Sequence, residues 1–300
     1  MTLLLQALLP FFGLAGAGYL LGRLRHSDPA PLTDLCLYVL MPLLLFVSLV
    51  RNPLSGGEAA LILGWFALLV ALASGLVLVV GRLAGWDRAN RSSVLLSTTN
   101  LNVGSFGVPV VLFALGDQAL SQVMLLFVYS NIAAGSIGVY IAAAGRQTLL
   151  QALTSVFRLP LIYAVGLALL VHGLDLSLPP ALLASGEAIG KAGPLVSVVV
   201  LGIQLANIPL RGQFTATLAG CLTLRCLAVP ALGIGLALGL GAEGQLLHLL
   251  LLGACLPSAI NTLLLAVRFD TRPELLGGIL LGSTLSSPIA IAAVLAWMES

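Results

Sequence analysis

Charge is scarce in this chain. Asp, Glu, Lys and Arg make up 8% of its 300 residues and hydrophobic residues 59%, where a soluble domain carries about a quarter charged residues. A chain so poor in charge cannot cover a folded surface with groups that water solvates, which excludes a soluble globular protein and points to a bilayer. A Gly-rich loop ending in Lys-Ser or Lys-Thr is missing too, and with it the phosphate cradle of a nucleotide-driven pump. So are a His-Glu-x-x-His helix, paired aspartates at depth and a Ser/His pair, which excludes the chemistry of an intramembrane hydrolase. The four cysteines, Cys36, Cys221, Cys226 and Cys255, fall inside apolar runs without metal-ligand spacing; they read as small core residues, with neither a metal site nor a disulfide framework. A net charge of +2, its arginines spread over several loops, leaves no stripe for nucleic acid. No cofactor is implied, and no polar stretch is long enough for a separate domain. One membrane domain over residues 1–300 is expected, its halves at 1–145 and 158–300.

What is present is apolar length. About 20 apolar residues cross the roughly 30 Å of hydrocarbon in a bilayer, and ten runs near that length can be drawn: 3–22, 34–51, 59–82, 93–114, 120–144, 159–174, 182–206, 214–240, 244–267 and 274–298. The first lacks a basic head and is followed by Arg23 and Arg25, the pattern of a retained span and not of a signal peptide. Loops after odd-numbered runs hold Arg23, Arg25, Arg82, Arg88, Arg91, Arg146, Arg158, Arg211, Arg268 and Arg272, ten of the 13 basic residues. Because Lys and Arg in short loops stay cytoplasmic, both termini are expected outside a cell (inner) membrane.

Two runs are interrupted at their centres. The first reads Ser97-Thr98-Thr99-Asn100-Leu101-Asn102-Val103-Gly104-Ser105-Phe106-Gly107-Val108-Pro109, the second Leu256-Pro257-Ser258-Ala259-Ile260-Asn261-Thr262. Irregular backbone at membrane depth survives only where protein or a wet cavity satisfies it, and a matched pair of breaks points to a transporter's binding site. A frame of 156 residues sets Asn52-Pro53-Leu54 against Ile208-Pro209-Leu210, Leu101-Asn102 against Pro257-Ser258, and Asn131 against Ser287. Five runs per half is an odd number, so the second half would lie inverted. The expected architecture is therefore an all-α integral membrane protein of ten transmembrane helices in two inverted five-helix repeats.

The interruptions suggest an anion site. A broken helix presents free N–H groups and the positive end of a half-helix dipole. Asn102 adds two donors and an acceptor, Ser258, Asn261 and Thr262 add polar groups at the second break, and Asn131 could line the same cavity. Gly104 and Gly107 permit unusual dihedrals, while Pro109 and Pro257 remove backbone donors and bend the chain. For Ser97, Thr98, Thr99 and Ser105 the competing reading is a hydroxyl bonded back to its own helix. Glu187 and Lys191 stand four apart: an ordinary pair worth roughly 0.3–0.5 kcal/mol if exposed, or, deeper, an ammonium in place of a coupling cation. Arg225 sits within the eighth run, where a guanidinium calls for a carboxylate or a substrate anion. His172 and His248, near run ends, read as interfacial.

Short stretches in fixed order resemble the auxin efflux carrier family: Tyr38-Val39-Leu40-Met41-Pro42-Leu43-Leu44-Leu45-Phe46, Arg51-Asn52-Pro53, Asn102 with Gly107-Val108-Pro109, Ala192-Gly193, Leu201-Gly202, Leu256-Pro257-Ser258-Ala259-Ile260, Phe269-Asp270 and Pro273-Glu274. The resemblance covers nearly the whole chain. It implies a fold related to the bile acid/sodium symporters, with helices 4 and 9 broken and crossing at the midplane. It also implies a secondary active transporter of small organic anions, such as malate, malonate or auxin-like acids, driven by protons or sodium and working by alternating access; a homodimer is left open. Two residues depart from the plant pattern: Leu101 stands where plant members have Pro, and Lys191 where they have Asp. The alternative is a transport-inactive membrane sensor or partner protein that keeps the carrier fold.

Overall fold

The computed structural model describes residues 2–142, 157, 159–207, 215–269 and 271–299. Arg146, Arg158, Arg211 and Asp270, and the Ile208-Pro209-Leu210 match of the 156-residue frame, lie outside the described residues. Among those described, the chain is helical, and its one extended pairing is an isolated antiparallel bridge between Leu101 and Ser258.

The number of spans differs from the sequence expectation. Among the described residues six helical stretches are long and apolar enough to cross a membrane: Ala30–Arg51, Gly56–Leu83, Asp117–Gly138, Pro180–Asn207, Ala216–Gly239 and Pro273–Met298. Val103–Leu115, Pro160–Gly173 and Gly244–Ala254 are apolar but shorter. The architecture of ten transmembrane helices in two inverted five-helix repeats is corrected accordingly. Counting apolar residues overlooks where hydrogen bonding stops a helix. The fourth run divides into Arg88–Thr99 and a stretch beginning at Val103, and the ninth into Gly244–Ala254 and Asn261–Phe269. The sixth run makes 14 helical residues, roughly 21 Å at 1.5 Å per residue and well short of the hydrocarbon thickness.

Small residues set the closest packing. Helix Thr2–Arg25 lies against Ala192–Asn207 so tightly that a Cβ at Gly18 would strike the Val199 carbonyl, and one at Gly202 the Ala15 carbonyl. Lipid tails are as apolar as Leu, so helices in a bilayer gain from this backbone approach and not from burial alone. Deeper in, Trp65 is fully buried and donates its indole N–H to the Gly233 carbonyl at 2.8 Å, joining Gly56–Leu83 to Ala216–Gly239.

Prolines shape the helices in a repeated way. The π-helical turns Cys36–Leu40, Val103–Gly107 and Leu224–Ala228 each end two residues before a proline: Pro42, Pro109 and Pro230. A proline cannot donate to the preceding turn and its ring crowds the carbonyl there. A widened turn relieves this, since the N–H just before each proline bonds five residues back: Met41 to Cys36, Val108 to Val103 and Val229 to Leu224. Such bulges occur often at functional sites.

Candidate functional site

The first interruption is built by side chains that compete with the helix. Asp87 starts helix Arg88–Thr99 by accepting the Asn90 N–H at 2.7 Å. At its far end Ser97 and Thr98 donate to the Val94 carbonyl at 2.8 and 2.9 Å, and Thr99 to Leu95 at 2.7 Å. Hydroxyls used this way compete with backbone N–H groups for the carbonyls of the last turn and weaken it. Asn100 leaves the helix at φ −114°, ψ 99°, its amide donating back to Leu96 at 2.9 Å. Asn102 then starts the next helical segment, its side-chain oxygen accepting the Ser105 N–H at 3.2 Å. The stop thus needs no proline at position 101.

The second interruption satisfies the first. Helix Gly244–Ala254 ends, the chain runs extended past Pro257, and helix Asn261–Phe269 follows. Asn102 donates its backbone N–H to the Pro257 carbonyl at 2.8 Å, and Ala259 donates to Asn100 at 2.9 Å. These bonds flank the Leu101–Ser258 bridge, so the groups each break frees are taken up by the other, as dry surroundings demand.

Against this junction lies a cavity of about 100 Å³. Asn100, Asn102, Gly104, Ser105, Asn131, Asn261 and Thr262 contribute its polar wall together with Gln204, and Met41 and Phe127 part of its apolar wall. Two buried atoms in that wall have no hydrogen-bond partner among the described residues: Nδ2 of Asn102 and Oδ1 of Asn100. A buried polar atom left unpaired costs about 1–3 kcal/mol, and here a donor and an acceptor two residues apart are both left without a partner among the described residues. Asn131 commits its amide to the Phe127 carbonyl at 2.8 Å.

The other sequence-predicted residues lie elsewhere. Gly107 is packed so that a Cβ would meet Leu256 Cδ1 at 2.8 Å. Pro109 is buried in helix Val108–Leu115, outside the cavity lining. Pro257 contributes its carbonyl to the junction, and Ser258 is buried behind it, its hydroxyl donating to the Ser97 carbonyl at 2.8 Å. Arg225 donates from Nε to Ser258 Oγ at 3.2 Å and from Nη2 to the Leu256 carbonyl. Glu187 and Lys191 belong to a partly exposed cluster away from the cavity: Lys191 lies 2.8 Å from Glu187 and 2.6 Å from Asp117, and Arg51 lies 2.6 Å from Glu187.

Several lining residues do not stand out by motif or composition. Asn100 and Asn102 are two apart, and alternate residues of extended backbone share a side; that spacing was the available signal. Ser197 and Gln204, seven apart on helix Ala192–Asn207, share the face that closes the cavity. Asp117 lies 74 residues from Lys191, beyond any local pattern.

The chain matches the family described as membrane transport protein over residues 144–297. Over 281 residues it is 26% identical to a protein of Methanothermobacter thermautotrophicus (strain Delta H) described as an uncharacterized transporter, the alignment covering 91% of each chain.

Proposed function

Because the chain belongs to the membrane transport protein family, a multi-pass group whose work is transport and not catalysis, we propose that it is a secondary active carrier of small organic anions. Its substrates are carboxylates of the size of malate or malonate, and it works by alternating access around the paired segments at 100–102 and 257–259. The observation that carries this reading is the unpartnered Asn102 Nδ2, buried in the cavity wall beside two helix starts. A carboxylate oxygen supplies the missing acceptor. Helix Asn261–Phe269 begins at the same wall, and the positive end of its dipole adds to the pull on an anion. Asn100 Oδ1, an acceptor, suits the hydroxyl of a hydroxy acid or a protonated carboxyl. Glu187 and Lys191 compensate charge at a distance, Lys191 standing between two carboxylates, and sodium is not required.

Uptake of a labelled carboxylate panel into proteoliposomes, under imposed pH or sodium gradients, tests this. Saturable entry of carboxylates but not of their amides is the expected result, accelerated by a proton gradient and unchanged when sodium is replaced. Absence of flux for every acid, in protein shown to be folded, overturns it and leaves a sensor that keeps the carrier fold.

A further inference from the structure

Arg225 is 1% exposed, and among the described residues no carboxylate pairs with it. A buried guanidinium is costly unless a countercharge or a full set of acceptors offsets the loss of water. Its two hydrogen bonds go to neutral oxygens, Ser258 Oγ and the Leu256 carbonyl. Both belong to the second interruption. The full positive charge is therefore held at the junction without a partner of opposite sign.

Around it lies a second cavity, walled by Arg225, Cys226, Ser283, Ser286 and Ser287. Its neighbours are built in. Ser283 Oγ accepts the Ser258 N–H at 3.2 Å, Ser287 donates to the Cys255 carbonyl at 2.6 Å, and the Ser286 hydroxyl is 3.1 Å from the Cys226 thiol. The two cavities share no lining residue. The first meets the junction at 100–102 and 259–262, the second at 255–256. The first holds about 100 Å³ and the second about 10 Å³, room for roughly one water. The pocket thus combines hydroxyls, an uncompensated charge and space for roughly one water.

We infer that Arg225, with the Cys226, Ser286 and Ser287 wall, forms a second anion station, too small for a carboxylate in this conformation, which takes one when the molecule opens on that side of the junction. The inference rests on the carrier reading above and extends it: Asn102 receives the anion from one side, and Arg225 receives its charge from the other. The π-helical turn Leu224–Ala228, which carries Arg225 and Cys226 just ahead of Pro230, is the element whose rewinding opens the pocket.

Cys226, partly exposed in this wall, reports on the station directly. Reconstituted wild-type protein is treated at low salt with thiosulfonate reagents of equal size bearing either a sulfonate or a quaternary ammonium, and modification of Cys226 is read by mass spectrometry. The anionic reagent should react faster by roughly tenfold, since a cationic cleft raises the local anion concentration. Malonate, but not malonamide, should slow it, and Arg225→Gln should abolish the preference. Equal rates, a faster cationic reagent or no reaction with either overturns the inference, as does protection by malonamide equal to that by malonate. Chloride protecting as well as malonate at matched ionic strength overturns the carboxylate assignment. The wild-type comparison needs no Arg225 variant, so it stands even if Arg225→Gln fails to fold. Carboxylate flux without the reagent preference would remove the station and keep the carrier; the preference without flux would do the reverse.

Discussion

Asn102 has two tasks in one side chain. Its oxygen starts a helical segment by accepting the Ser105 N–H, and its nitrogen, unpartnered among the described residues, is the donor the proposed site uses. Asn102→Asp keeps the acceptor and the shape but replaces the donor with an anionic oxygen. We expect helix content and thermal stability within a few degrees of wild type and carboxylate uptake reduced well beyond tenfold, because like charges at one site repel; uptake near wild type would show that Nδ2 does not meet the substrate. Gly104 lies close to Phe127, whose Cε2 would stand 2.6 Å from an added Cβ. Gly104→Ala should therefore turn that ring, which lines the cavity, and raise KM while leaving kcat nearly unchanged. Steady-state uptake kinetics separate the two. The clustering of hydroxyls and amides at 97–105 was visible in the sequence, and so was the proline at 257. Which of them face the cavity was not, because Ser97, Thr98 and Thr99 spend their hydroxyls on carbonyls of their own helix, a choice set by rotamer and not by residue type.

The element that carries the first interruption depends on its start as well as its stop. Asp87 caps helix Arg88–Thr99, and its carboxyl is held below the usual carboxylate range first by the Asn90 backbone N–H and then by Arg272, 2.9 Å away. A carboxyl whose pKa is lower folded than unfolded stabilises the fold above its unfolded pKa, about 3.9, and loses that contribution as pH falls through the folded value. Asp87→Ala should cost about 0.5–2 kcal/mol at neutral pH, and the gap between variant and wild type should close below about pH 4. Thermal unfolding in detergent across pH measures it. The contact between Thr2–Arg25 and Ala192–Asn207 is another demand on an element: Gly202→Ala should destabilise by about 1–3 kcal/mol through overpacking, and an unchanged melting temperature would mean that the helices separate freely. Element ends were the least readable feature. The apolar run 93–114 looked like one span, yet helix Arg88–Thr99 starts five residues earlier and stops in its middle, because capping and back-bonding act on individual N–H and C=O groups that hydropathy does not count.

At the scale of the molecule, the proposed transport cycle uses the paired interruptions as a pivot between two cavities of unequal size. The ion cluster of Arg51, Glu187, Lys191 and Asp117 ties the end of helix Met41–Arg51, helix Pro180–Gly190 and the turn at Asp117 into one body. Its members are partly exposed, so the pairs contribute little to stability. Lys191→Ala should slow uptake severalfold and make it respond to sodium, which the wild type does not; unchanged, sodium-independent uptake in the variant, or sodium-coupled uptake in the wild type, would contradict the charge-compensating reading. Composition alone excluded a soluble domain. It could not show that helix Gly244–Ala254 falls short of a full span, because the segment that cuts the run 244–267 is itself largely apolar, as Leu256, Ala259 and Ile260 are. The most direct measurement is initial-rate uptake of labelled malonate into proteoliposomes by wild type and Asn102→Ala, at matched incorporation and matched melting temperature. Loss of one hydrogen bond to a charged group predicts kcat/KM lower by roughly tenfold or more; equal kcat/KM would contradict the assignment of the anion to the Asn102 cavity.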